Sequence, residues 1–517
     1  VLDRLPVLPL NIGSAMRVLT IPKSLAAVFV LSTPLAASEE RALVVGSLTQ
    51  DPDSSRPAAK NAIFFVADGM GVSTVTATRV FSVGVGGRLV LDRMPFTAVS
   101  RTFTTDSITA DSAGTMSAMI TGVNTNTGVI SLGPKTERDD FHGDGDDFAP
   151  MTLLELAKAA GKRIGIVSTA RVTHATPAAC FAHVNDRDKE AEIAAQGTPG
   201  EPEFNARLLN GIDLLAGGGR RFFLPSGVTD EEGEAGARGD GRNLLDRFVA
   251  HGYRYVWREE EWSALRAQDL PVLALFESSH MEYEYDRKTD VGGEPSLSSM
   301  VERAIDLLDD APEGFVLVVE GGRVDHAHHA GNAFRALVDA EEFDRAVGAA
   351  IDCVDLRETI LLATADHSHT LTIAGYPLRP LAELPYATKG HPAGYAASAH
   401  GGILDVAYGI DPKSGIVRRT LGADRIPYTP LSYANGPGAR GAPRIDPRLD
   451  RSAGLNGSIP TGPTHPDYLQ AATVPLGSET HGGEDVLIWG IGSGSSALRG
   501  VVPNTACFDV LRAALGI

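Results

Sequence analysis

Short apolar runs of strand length recur along the chain. Residues 62–67 (AIFFVA), 163–168 (RIGIVS), 315–319 (FVLVV), 359–365 (TILLATA) and 486–489 (VLIW) are nearly continuous in hydrophobic character and do not alternate. A run that is apolar on both faces suits a strand covered on both sides, as in a parallel sheet between two helical layers. Residues 151–160, 297–308 and 333–353 carry helix-compatible patterns between such runs. Strand and helix in alternation predict an α/β fold with a doubly wound, mostly parallel central sheet flanked by helices. Residues 376–478 break the pattern. They are rich in Gly, Pro, Ala and Tyr and hold no sustained period, yet Tyr, Leu and Ile keep returning. That predicts a small inserted subdomain and not a disordered linker. No internal repeat of fixed period is present.

Composition narrows the function classes. The chain has 517 residues, with 46 Lys+Arg against 65 Asp+Glu, a formal charge of −19. Such a balance disfavours a nucleic-acid binder, whose affinity comes from neutralising phosphates. Mean hydropathy is −0.03, compatible with a sizeable core. The three cysteines, Cys180, Cys353 and Cys507, cannot supply a four-thiolate zinc site. They are expected as buried free thiols. Any metal must then be held by His and carboxylates. No apolar stretch reaches the ~20 residues of a membrane span. A shorter signal is present near the start. Met16-Arg17 and Lys23 precede the apolar run 25–31, followed by Ala36, Ala37 and Ser38. A cationic start, short apolar centre and small-residue exit read as a secretory signal peptide. Residues 1–37 are therefore expected to be an upstream segment plus signal, and the protein to be secreted or periplasmic.

The chemistry gathers after the strands. Residues 62–67 lead into Asp68-Gly69-Met70-Gly71, and 163–168 into Thr169, His174 and Thr176. Residues 315–319 lead into Glu320, Asp325, His326, His328 and His329, and 359–365 into Asp366-His367-Ser368-His369. Glu479 and His481 come just before 486–489. Open α/β sheets bind ligands beyond the carboxyl ends of their strands. Asp325 and His329 are spaced i, i+4, so a helix puts both on one face. A solvated His-rich helix start would show the same spacing, and an N-cap Asp beside an exposed His would account for 366–367. Both segments together point to cations with O and N ligands, zinc and magnesium. Ser112, in Asp111-Ser112-Ala113-Gly114-Thr115, falls at a predicted helix N-terminus, where backbone N–H groups favour an anion. A plain N-cap explains the same residues. No G-x-S-x-G elbow surrounds Ser112, so a metal-activated serine fits better than a Ser-His-Asp triad.

Seven dispersed motifs resemble alkaline phosphatases over nearly all of residues 60–517. They are VADGMG (66–71), DSAGT (111–115), ATPAACFAHVNDR (175–187), VEGGRVDHAHHAGN (319–332), ATADHSHT (363–370), GYPLR (375–379) and SETHGGEDV (478–486). The resemblance implies hydrolysis of phosphate monoesters through a phosphoserine at Ser112, with two zinc ions and one magnesium. By that likeness Asp325, His329 and His481 match ligands of the first zinc. Asp68, Asp366 and His367 match ligands of the second, completed by Ser112. Asp68 would also bridge to a magnesium held by Thr176 and Glu320. Arg187 matches the guanidinium that clamps the phosphoryl group, and Asp111 the residue that orients it. His174 and His326 stand where the enteric bacterial branch carries Asp and Lys, as in the animal-type branch. That branch also has a calcium site, matched in part by Phe276 and Glu277, with Glu294 as a candidate. Thr109, Met116 and Ser117 depart from the strict pattern around the nucleophile. The resemblance further implies a homodimer, with 376–478 as a crown-like insertion between catalytic segments 38–375 and 479–517. The rival readings are a phosphodiesterase or sulfatase of the same fold, and a zinc-binding protein without turnover. Arg187 favours monoesters, and Ser112 lacks the C/S-x-P-x-R setting of a sulfatase.

Overall fold

The computed structural model describes residues 59–139, 148–379, 402–414, 416–441 and 443–517. The expected signal segment 1–37 and residues 380–401 of the expected insertion lie outside them. Among the described residues, ten strands form one sheet. In chain order they begin with β1 (Asn61–Val66), β2 (Phe96–Arg101), β3 (Arg163–Arg171), β4 (Leu214–Gly218), β5 (Arg254–Val256), β6 (Val272–Leu275), β7 (Phe315–Glu320) and β8 (Thr359–Thr364). Five short strands and pairs stand apart from it: β9 (Ser368–His369), β10 (Leu371–Ile373), β11 (Tyr408–Ile410), β12 (Val417–Arg419) and β13 (Leu431–Gly436). β14 (Ala472–Pro475) and β15 (His481–Gly482) do likewise, before β16 (Val486–Gly492) and β17 (Gly500–Pro503) complete the large sheet. Its order is β17-β2-β16-β8-β1-β7-β3-β4-β6-β5. Every neighbouring pair is parallel except the two made by β16.

The continuous apolar runs sit where both faces are covered. β1, β7 and β8 are buried at every residue. Alternate side chains of β1 enter different cores. Phe64 and Val66 pack on the side of the helix Ser112–Thr121 and the C-terminal helix Ala506–Leu515. Ile63 and Phe65 pack on the side of the helices Leu297–Leu308 and Ala333–Cys353. This is the doubly wound arrangement the pattern predicts. The helix Leu297–Leu308 buries Leu297, Met300, Val301, Ala304, Ile305 and Leu308, an i, i+3, i+4 stripe. Phe343 meets Phe65 edge to face at 5.7 Å and is fully buried. Phe343→Ala should cost about 3–5 kcal/mol by leaving a cavity between helix and sheet. A lower urea midpoint with an unchanged m-value is the expected readout.

Within 376–478 the described strands lie outside the large sheet. β11 and β12 form one pair, whereas β13 and β14 join β10, which precedes residue 376, in a three-stranded sheet that ties the segment to the chain before it. One expectation about the thiols fails. Cys180 and Cys507 are buried and free, but Cys353 is exposed. It is the last residue of its helix, where the chain turns out towards solvent-facing Asp352 and Asp355.

Candidate active site

Topology explains why the site forms where it does. β8, β1, β7 and β3 are adjacent and parallel, so their carboxyl ends share one edge. Asp366, Asp68 and the His174–Thr176 turn follow β8, β1 and β3, and Glu320 is the last residue of β7. β16 runs antiparallel to β8, so its beginning reaches the same edge and brings His481 with it. Glycine makes the approach possible. Gly69 has φ +70°, and a Cβ there would collide with the His369 ring. A Cβ on Gly71 would collide with Ser368.

Ser112 opens its helix, capped by Asp111, whose side chain accepts from Gly114 N–H at 3.1 Å. The Ser112 hydroxyl is 3.4 Å from both oxygens of Asp68 and 3.2 Å from His367 Nε2. The second oxygen of Asp111 accepts from Gly128 N–H at 3.0 Å and from Arg187 at 2.9 Å. Asp111 therefore caps the serine helix and aims the guanidinium at once. Arg187 also donates to His174 Nε2 at 3.0 Å. The His174 ring lies against that of His326, centroids 5.4 Å apart.

Asp325 and His329 do share a helix face, with Nε2 3.4 Å from the carboxylate, on the helix Arg323–His329. His329 Nδ1 meets the Glu479 carbonyl at 2.6 Å, and His481 Nδ1 meets the Ala110 carbonyl at 2.8 Å. A carbonyl only accepts, so both Nδ1 atoms carry hydrogen. In the neutral rings both Nε2 atoms then bear lone pairs. They face each other at 3.1 Å, with Asp325 3.4–3.5 Å away. Two lone pairs and a carboxylate converging in this way suit a shared cation. A ring N–H tied to a backbone carbonyl is the usual support of a metal-ligating histidine.

A second group unites Asp68, Asp366 and His367, and a third Asp68, His174 and Glu320. Their buried atoms are short of partners. Asp366 Oδ2, Thr176 Oγ1, Glu320 Oε1 and His174 Nδ1 have no hydrogen bond. Burial and the charges of Asp366, Asp325 and Glu320 hold the Asp68 carboxyl well above its ordinary range. Burial, with Asp366 and Asp325, pushes Glu320 up to about 8 against a hydrogen bond from Ser168. Carboxylates driven upward by each other, with idle lone pairs, fit sites for divalent cations. The structure thus gathers Ser112, Asp111, Arg187, Asp68, His174, Glu320, Asp325, His329, Asp366, His367 and His481 at this edge.

It also adds residues that reading passed over. His369 Nε2 lies 2.6 Å from Asp325 and its Nδ1 2.5 Å from Glu479. Burial opposes charge on this ring, but the two carboxylates prevail and raise it to about 10. His369 is thus a cation that steadies Asp325. The signal was available, since residues two apart on an extended segment share a face, as His367 and His369 do. Away from the sheet edge, Glu232, Glu277 and Asp290 bring oxygens within 4.8 Å of one another. Glu294 is not in that group. It turns to the Glu282 backbone N–H at 2.9 Å.

Fold and site define a class: large α/β proteins that gather carboxylates and imidazoles for divalent cations around a serine and an arginine at the carboxyl edge of the sheet. The chain belongs to the alkaline phosphatase family, whose profile matches residues 59–517. It is 36% identical over 469 residues to the human tissue-nonspecific isozyme of alkaline phosphatase, covering 86% of this chain and 81% of that one. It is 37% identical over 466 residues to alkaline phosphatase of Gadus morhua, covering 86% and 89%. The fold matches that of Thermus thermophilus alkaline phosphatase with a TM-score of 0.60 at 24% identity, over 90% of this chain and 94% of that one. It matches the enzyme of the Antarctic bacterium TAB5 with a TM-score of 0.59 at 19% identity, over 89% and 99%.

Proposed function

We propose that the protein hydrolyses phosphate monoesters through a phosphoserine at Ser112. The observation that carries this is the placement of Ser112 Oγ between Asp68 and His367, at the start of a helix whose cap, Asp111, also holds Arg187. Asp325, His329 and His481 would hold one zinc ion, and Asp68, Asp366, His367 and Ser112 the other. Asp68, Thr176 and Glu320 would hold magnesium, Thr176 Oγ1 and Glu320 Oε1 being buried without a hydrogen bond. Bound there, the ions supply positive charge that activates the serine and water and offsets the charge of the leaving oxygen.

The chain's own residues do the rest. Arg187 offers paired N–H donors to two phosphoryl oxygens, in a geometry lysine cannot match. The helix start behind Ser112 presents backbone N–H groups to the same anion. Ser112 Oγ forms a bond to phosphorus as the ester oxygen leaves as the alcohol. Water then attacks phosphorus on that phosphoserine, and inorganic phosphate departs as Ser112 is restored. His174, held by Arg187, and His326 line the phosphoryl pocket.

Glu232, Glu277 and Asp290 suit a calcium ion, with burial first and then Glu232 and Asp290 pushing Glu277 up to about 8. Arg220 shares Glu232 at 2.9 Å and partly balances this acidic group. Residues 376–478 form the crown-like subdomain of a homodimer in this reading, supported by their strands, β11 to β14, all lying outside the large sheet. Export rests on the pattern of residues 16–38. Among the described residues, no helix is long and apolar enough to cross a membrane.

The test is turnover of p-nitrophenyl phosphate, with bis(p-nitrophenyl) phosphate beside it. Monoester turnover should exceed diester turnover, fall to background after chelation, and return with zinc and magnesium. Faster cleavage of the diester, or monoester turnover untouched by exhaustive chelation, would overturn the reading.

A further inference from the structure

Three imidazoles, His174, His280 and His326, form a wall beside Arg187. The rings of His280 and His326 are 4.1 Å apart, and His174 lies 5.3 Å from His280 and 5.4 Å from His326. Each ring is met by a guanidinium. Arg187 reaches His174 Nε2 at 3.0 Å, Arg171 reaches His280 Nε2, and Arg323 reaches His326 Nδ1 at 3.2 Å. Arginine has donors only, so the ring nitrogen it meets must accept. For His326 this leaves the hydrogen of the neutral ring on Nε2. Among the described residues no hydrogen bond engages that Nε2, and the ring is half-buried, so Nε2–H is left to donate elsewhere.

Arg323 is itself fixed. Its guanidinium lies over the Tyr283 ring, 3.8 Å from the centroid, a close cation–π contact. Its backbone N–H donates to Thr169 Oγ1 at 3.3 Å, which ties the start of its helix to the end of β3. Asp339 stands near it and is buried, pushed up to about 8 by that burial, with Arg323 pulling the other way. The guanidinium is therefore held as a flat plate whose one edge meets His326.

We propose that Arg323, clamped on Tyr283, is a positioning residue for phosphate binding: it holds His326 by Nδ1 and so presents Nε2–H to a phosphoryl oxygen. The inference rests on the phosphomonoesterase reading above. Arg323 touches neither substrate nor metal in this account, and its whole effect passes through His326. His326 then adds one neutral donor to the charged pair from Arg187, binding substrate and product phosphate alike. Contacts equal in ground and transition states alter KM and product affinity more than kcat.

The experiment is a double-mutant cycle between Arg323 and His326 in the full-length, metal-loaded protein, reading KM, kcat and inhibition by inorganic phosphate. Arg323→Ala should raise KM and the phosphate inhibition constant by about tenfold, the size of one lost hydrogen bond to a charged group. Metal content should stay at the wild-type level and kcat within about threefold, as expected when uniform binding is lost. His326→Ala should do the same, and Arg323→Ala should add nothing in that background. Arg323→Lys, which keeps a donor but not the flat stack, should recover part of the loss. Additive effects, an equal fall in kcat, or loss of metal in Arg323→Ala would each overturn the proposal. A wild-type protein with no monoester turnover would instead overturn the phosphomonoesterase reading, so the two failures are distinct.

Discussion

Ser112→Ala is expected to lower monoester turnover by about three orders of magnitude or more, the scale seen when a covalent nucleophile is removed. The substitution deletes one oxygen at a site that is 2% exposed. Alanine is the best helix former, and the helix retains its cap because Asp111 still accepts from Gly114 N–H. The fold and the groups around Asp325 should therefore persist, and zinc content should fall little. Residual turnover would come from water attacking phosphorus directly, aided by Arg187. The discriminating measurement is an acid quench with labelled phosphate ester. Wild-type protein should yield label on Ser112, and the variant none. Near-wild-type turnover in Ser112→Ala, with metal retained, would remove the serine from the mechanism.

How much of this was legible in the sequence depends on the kind of residue. β1, β7 and β8 were readable because every position is buried, so the apolar run marks the strand nearly residue for residue. The helices Leu297–Leu308 and Ala333–Cys353 have the limits their patterns indicated. β16 runs on to Gly492, past the apolar run that ends at Trp489, because Gly490 and Gly492 pair with β8 through backbone alone. β2 and β4 escaped notice for related reasons. The first is half-exposed, and the second, LLAGG, ends in glycines that carry no hydrophobic mark. The candidate ligands that directly follow apolar strands were legible from position. Glu232 and Asp290 were not, since they come from loops brought beside Glu277 only by the folded chain. His369 was visible in the motif, yet its role depends on Glu479, 110 residues away. Arg323 and Tyr283 likewise meet across the sheet edge, and no spacing announces that contact.

Asp325→Ala is expected to be the most damaging change among the proposed ligands, because Asp325 serves three imidazoles. It meets His369 at 2.6 Å, His329 at 3.4 Å and His481 at 3.5 Å. Burial alone would raise its pKa, yet the imidazoles packed on it hold the carboxyl well below the ordinary range, with His369 donating to it from Nε2. That favours the anion, the form the proposed zinc site needs. Alanine removes the negative charge between the two Nε2 atoms and strips His369 of one of its two carboxylates. A buried imidazolium left half-paired destabilises its surroundings, so the loss extends beyond one ligand. Zinc content should fall by about one ion per chain, and turnover by about a hundredfold or more, beyond the usual effect of losing a supporting contact. Asp325→Asn separates charge from shape. It keeps an oxygen for His369 to donate to, so the fold should hold while the metal is still lost. If elemental analysis of Asp325→Asn gave wild-type zinc, the convergence on His329 and His481 would be a hydrogen-bonded cluster and not a metal site.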